Sequence, residues 1–171
     1  MKLLTFILLL FSYVTVVGQD VGRDIDSIER DNIIIKNKLN QRYIFGSAKE
    51  LQKAFGKASI KKEFNEEAAD FFYLHRYKGL EVWFSSGGWE TTIVKSTDYT
   101  VLLNGVEYKI GDHINKIKTQ FPLSYQNRNK YGDNAIGIMM SHNKVIYEAA
   151  VDFTYDNKGF ITNITIANDN S

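Results

Sequence analysis

The chain has 171 residues, with 21 lysines and arginines against 20 aspartates and glutamates, one proline and no cysteine. A near-neutral chain without a Lys/Arg block lacks the electrostatic footprint of a nucleic-acid binder, so no nucleic-acid partner is expected. Without cysteine the fold cannot rest on disulfides and needs a hydrophobic core, for which 44% hydrophobic and 13% aromatic residues supply the material.

The N-terminus begins Met1-Lys2-Leu3-Leu4, continues in an apolar run from Phe6 to Phe11 and ends in the small residue Gly18. A charged start, a short hydrophobic core and a small-residue end are the plan of a secretory signal peptide over residues 1–18. The run is marginal as a membrane span, which needs about 20 apolar residues. Cleavage after Gly18 removes only Lys2 among the charged residues, leaving 20 basic against 20 acidic. The expectation is an exported protein, periplasmic or secreted, with no stable membrane insertion after cleavage. Residues 19–32 read as a polar leader arm, with Val21, Ile25 and Ile28 spaced for one side of a short helix.

The β-branched run Ile33-Ile34-Ile35 predicts a strand, and Tyr43-Ile44-Phe45 its partner. Next, Ser47 with Glu50 three residues on forms a capping box. Ala48, Leu51 and Phe55 share one helical face, and Gly56 is the stop, which predicts a helix over 48–55. A charged connection over 57–70 follows, with Glu66, Glu67 and Asp70 read as a solvated acidic stretch. Phe71 to Tyr77, Leu80 to Ser85 and Trp89 to Lys95 predict a three-stranded meander.

Beyond it, Asn104-Gly105 between Tyr99–Leu103 and Val106–Ile110 predicts a two-residue hairpin. Ile114, Ile117 and Phe121 then repeat the spacing of Ala48, Leu51 and Phe55, with Pro122 standing where Gly56 stood. Three strands, Ile136 to Met140, Glu148 to Tyr155 and Phe160 to Ala167, complete a second copy of the same order. The expected fold is α+β, two tandem helix-plus-antiparallel-meander repeats over 33–98 and 99–171.

The hairpin leading into Ile110-Gly111-Asp112, the segment Ile114-x-x-Ile117-x-x-x-Phe121-Pro122 and the strand Tyr77-Lys78-Gly79-Leu80-Glu81-Val82-Trp83-Phe84 resemble the tandem modules of β-lactamase-inhibitory proteins. They are also similar to the helix-plus-meander unit of small outer-membrane assembly lipoproteins. The resemblance implies a fold of that inhibitor-like kind and binding of protein loops on an aromatic sheet face. The chain departs from both groups in having neither the inhibitors' disulfides nor the lipoproteins' lipidated cysteine.

Strand alternation predicts that Phe72, Leu74, Leu80, Val82 and Phe84 pack on the helix. Phe71, Tyr73, His75, Tyr77, Glu81, Trp83 and Ser85 then fall on the opposite face. Phe71, Tyr73, Tyr77 and Trp83, with Trp89 beside them, are the candidate partner-binding residues. His75, His113 and His142 lack any ligand spacing, so no metal site is expected, and each is read as solvated or singly hydrogen-bonded. No nucleophile elbow, phosphate loop or paired catalytic carboxylate is present, so no catalytic residue and no cofactor are assigned. The reading is an exported, non-catalytic module, inhibitor- or immunity-like, that binds a protein of the envelope or extracellular space. A binder of small molecules or envelope ligands in a groove between the halves is the alternative, and a small hydrolase ranks last.

Overall fold

The computed structural model describes residues 25–130 and 132–168; the expected signal peptide and most of the leader arm lie outside them. The described residues form twelve strands, two α-helices and two 3-10 turns. In chain order the strands are β1 (Ser27–Glu29), β2 (Ile33–Asn37), β3 (Arg42–Tyr43), β4 (Ser59–Asn65), β5 (Asp70–Tyr77) and β6 (Leu80–Ser85). They continue as β7 (Gly88–Val94), β8 (Tyr99–Leu103), β9 (Val106–Tyr108), β10 (Ala135–His142), β11 (Val145–Tyr155) and β12 (Ile161–Asn168). Helix α1 spans Ala48–Phe55 and α2 spans Pro122–Gln126.

An eight-stranded sheet runs β1-β10-β11-β12-β7-β6-β5-β4, and a four-stranded sheet runs β3-β2-β8-β9. The predicted pair of helix-plus-meander repeats is therefore overturned in favour of a β-rich fold of two sheets. Both meanders enter one sheet through the antiparallel β7–β12 ladder, Val94 opposite Ile164 and Thr92 opposite Ile166. The hairpins preceding them combine in the other sheet, Ile33 opposite Leu103 and Ile35 opposite Val101. Each half thus contributes to both layers, and the core forms between the sheets rather than within a half. Phe153 of the large sheet meets Tyr108 of the small one at 5.3 Å between ring centroids, and Phe45 meets Trp89 at 4.4 Å.

Helix α1 forms as its capping box predicts: Ser47 Oγ accepts from the Glu50 N–H while Glu50 accepts from the Ser47 N–H. Gly56 at φ +84° closes it in a conformation that disfavours a side chain. The helix buries Leu51 fully and sets Phe55, half-buried, against Tyr43, Tyr77 and Tyr99. The second predicted helix, 114–121, is not a helix of that kind. Ile114–Thr119 is a 3-10 turn, in which residues three apart align and so bury Ile114 and Ile117 together. Pro122 does not end a helix but opens α2 at its first position, where its missing N–H costs nothing and its φ is already set. Phe121, 2% exposed, plugs the core from the residue preceding α2.

Two further segments differ from expectation. The end of the leader stretch pairs as β1, parallel to β10, with Ile28 buried. Asp26 and Ser124 fasten this arm to α2 reciprocally: the Asp26 N–H donates to Ser124 Oγ and the Ser124 N–H to Asp26 Oδ2, both at 2.9 Å. The charged connection 57–70 contains the seven-residue strand β4, paired with β5 from Ser59–Arg76 to Asn65–Asp70. Lys61, Lys62 and Glu63 separate its apolar residues Ile60 and Phe64, so the segment reads as a charged connection in the sequence.

Candidate functional site

Cross-strand pairing settles which side chains share a face, because directly opposed residues project to the same side. Tyr73 faces Phe84, His75 faces Val82 and Tyr77 faces Leu80, while Leu74 faces Trp83 and Arg76 faces Glu81. The predicted parity of β6 holds, with Leu80, Val82 and Phe84 in the core. That of β5 is inverted relative to it. Tyr73, His75 and Tyr77 lie on the core side, and Phe72 and Leu74 lie on the outer side with Trp83. The two-residue Lys78-Gly79 turn, with Gly79 at φ +82°, fixes this register, which the alternation of each strand taken alone does not reveal.

The five candidate partner-binding residues consequently do not converge. Trp89 is 6% exposed, its Nε1–H donating to Thr92 Oγ1 at 2.8 Å, with the Arg30 guanidinium 5.5 Å from its ring. Tyr77 is half-buried and donates to the Gly56 carbonyl at 3.1 Å; burial pushes its hydroxyl up to about 12. Phe71 and Tyr73 are exposed on the core side of β5, where the β4–β5 hairpin overhangs the second layer. Only Trp83 of the five looks outward from the sheet.

One histidine, His75, departs from the reading as solvated or singly hydrogen-bonded, while His113 and His142 fit it. His75 is 4% exposed, edge-on to Phe84 at 5.1 Å, and its Nδ1 has no hydrogen-bond partner among the described residues. Desolvation holds its pKa down, which keeps the ring neutral in the core. His113 accepts the Asn115 N–H at the start of the 3-10 turn and meets Phe160 edge-on, and His142 is exposed at the end of β10. No group of three metal-ligating side chains assembles among the described residues.

A trough crosses the outer face of the large sheet, on which Leu74 is 2% exposed and Phe72, Trp83 and Thr91 are half-buried. Three adjoining depressions share Phe72, Glu90, Thr91 and Asn168 along their borders. The floor at one end is Phe72 and Trp83, both half-buried. At the other end it is made of small groups, Ala150 and Ala167, beside Asp152. Glu63, Glu66, Glu67, Asp70, Glu90 and Asp152 line the trough; the lining includes no lysine or arginine among the described residues, though Lys61 beside it forms an ion pair with Glu63.

These carboxylates are held in different ways. Asp70 accepts from the Ser86 N–H at 2.9 Å and hydroxyl at 2.7 Å, which holds its pKa below the usual range. Glu90 accepts from Ser85 Oγ. Glu66 and Glu67 are exposed on the β4–β5 turn. Asp152 stands between Gly137 and Thr165 in the middle of the sheet, where a Cβ on Gly137 would come within 3.1 Å of its Oδ1. Burial raises its pKa, and neither a hydrogen bond nor an ion pair engages its carboxyl among the described residues.

A carboxyl whose pKa is raised on folding favours the native state at low pH. That contribution is lost as pH rises from the unfolded value through the folded one. Asp152→Asn is therefore expected to raise the melting temperature near neutrality and to leave it unchanged in acid, where Asp152 is protonated. Thermal melts of both proteins across pH check this; an equal difference at every pH would remove the titration from the explanation.

The sequence reading missed Glu90 and Asp152 and gave Glu66 and Glu67 no role. The signal for Asp152 was present in the strand Ala149-Ala150-Val151-Asp152-Phe153, where the inward set Val151 and Phe153 forces the aspartate outward beside small residues. Comparison with protein-family models, with curated proteins and with solved structures finds no match to this chain.

Proposed function

We propose that this chain is an exported, non-catalytic binding module that holds an extended, positively charged segment of a partner protein in the trough on its outer sheet face. The observation that carries the reading is the pairing of an aromatic floor, Phe72 and Trp83, with six lining carboxylates, of which Glu63 already forms an ion pair with Lys61 beside the trough. Lysine and arginine stems pack on such rings while their charged ends reach the carboxylates, and a ring face attracts a cation directly. Single-sign carboxylates also steer a cationic partner and reject an anionic one. Asp152 adds a pH dependence, since a bound cation would favour its ionised form.

The alternative, a small-molecule or envelope ligand held between the halves, would use the same surface, because the trough crosses the β7–β12 ladder that joins them; the positive charge of the bound group is what separates the two readings. Titration with an oligolysine or oligoarginine peptide, followed by intrinsic tryptophan fluorescence, tests the proposal. Binding is expected to weaken with added salt. Reversing both turn charges, Glu66→Lys with Glu67→Lys, is expected to weaken it about tenfold, equivalent to ~1.4 kcal/mol. An oligoglutamate peptide that binds as well, or cationic binding indifferent to salt, would overturn it.

A further inference from the structure

We propose that the free edge of the large sheet pairs with the same edge of a second copy of this chain, β4 against β4, antiparallel and centred on Lys62. Strand β4 ends the strand order, so one side of its backbone has no ladder partner among the described residues, and six of its seven residues are exposed. An unpaired edge of that length is a template for another strand.

The pairing of β4 with β5 places Ile60, Lys62 and Phe64 on the core-side face with His75, Tyr73 and Phe71. Along most of the sheet that face is covered, but here it overhangs the second layer. Ile60 is 53% exposed, Phe64 54%, Phe71 43% and Tyr73 36%, and the rings of Phe64 and Phe71 pack edge to face at 5.1 Å. This is a contiguous apolar strip beside an open edge, the combination that marks an interaction surface.

The sequence of the edge is self-complementary, and this selects a second copy as the occupant. A two-fold axis through the Lys62 position sets Ile60 opposite Phe64 of the second copy and Lys61 opposite its Glu63, each match occurring twice. Within one chain Lys61 and Glu63 already form an ion pair on the outer face. In the pair of copies the four groups alternate in sign. Registers centred on Lys61 or Glu63 break both matches, placing Lys62 opposite Ile60 or Phe64. The like charges on the axis are relieved from within: Lys62 Nζ lies 3.7 Å from the Phe71 ring centroid and 5.6 Å from that of Tyr73, so each ammonium is drawn back over its own hairpin.

A single strand pairing is a small interface, so the association is concentration-dependent. Sedimentation velocity with light scattering on the purified chain, its own N-terminus intact, over a dilution series is expected to show mass rising from one chain toward two. Lys61→Glu and Glu63→Lys should each move the midpoint to at least about tenfold higher concentration. The double variant, Lys61→Glu with Glu63→Lys, exchanges the two signs and so sets opposite charges against each other across the axis once more. It should restore the association, a recovery that misfolding cannot produce. A chain monomeric throughout, singles that associate normally, or a double variant no better than the singles would each overturn the proposal. The readout is mass alone, so the outcome is independent of whether the trough binds a cationic segment.

Discussion

Replacing Trp89 by alanine is expected to cost ~3–5 kcal/mol of stability, the range for deleting a large buried aromatic side chain. Three contributions act together. The ring is 6% exposed and packs on Phe45 at 4.4 Å, one of the contacts that joins the two layers. Its Nε1–H is a hydrogen-bond partner of Thr92, which is fully buried and would keep an unpaired hydroxyl after the substitution. The Arg30 guanidinium, which also donates to the Phe45 carbonyl at 3.0 Å, would lose the face on which it rests. Against a total of about 5–15 kcal/mol for a domain, such a loss removes much of the margin. Urea unfolding of Trp89→Ala beside Trp83→Ala measures it. A Trp89→Ala midpoint within experimental error of the parent would show that the ring is not part of the core.

The two tryptophans mark where the sequence was legible and where it was not. Local rules worked when one segment decided the outcome: the capping box at Ser47 and Glu50, the stop at Gly56 and the Asn104-Gly105 hairpin, whose two residues adopt φ +48° and +82°. Strand existence was also readable wherever β-branched or aromatic residues ran together, as in β2, β6 and β12. Relations between segments were hidden. The inversion of β5 against β6 depends on the turn that joins them, and the hydrophobic pattern of β5 is ambiguous because Phe71, Phe72, Tyr73 and Leu74 fill both parities. The equal spacing of Ile114, Ile117 and Phe121 with Ala48, Leu51 and Phe55 implied two like helices. The same spacing also suits a 3-10 turn followed by a proline-initiated helix. Strand β4 escaped notice because its apolar residues are separated by lysines, and without it the acidic residues of the next turn read as a floating loop. The trough was illegible for the same reason: its lining comes from β4, β5, β6, β7, β10, β11 and β12, assembled only by sheet order.

Trp83→Ala is expected to weaken binding of a cationic peptide by about 30-fold, the ~2 kcal/mol typical of an aromatic hot spot, while Tyr73→Ala leaves the affinity unchanged. Both residues are aromatic, partly exposed and one strand apart, so composition alone would assign them one role. Their pairing separates them: Trp83 is opposite Leu74 and Thr91 on the outer face, and Tyr73 is opposite Phe84 and Lys62 on the core side. Removing the Trp83 ring deletes part of the trough floor without opening the core, since Leu80, Val82 and Phe84 of the same strand keep their packing on the other face. A segment lying in the trough cannot reach the Tyr73 ring through the sheet, so the double variant should bind like Trp83→Ala alone. Calorimetric titration of the parent, both single variants and the double variant with one oligolysine peptide completes the cycle. Equal losses from the two single substitutions would move the bound segment off the outer face and onto the overhanging hairpin.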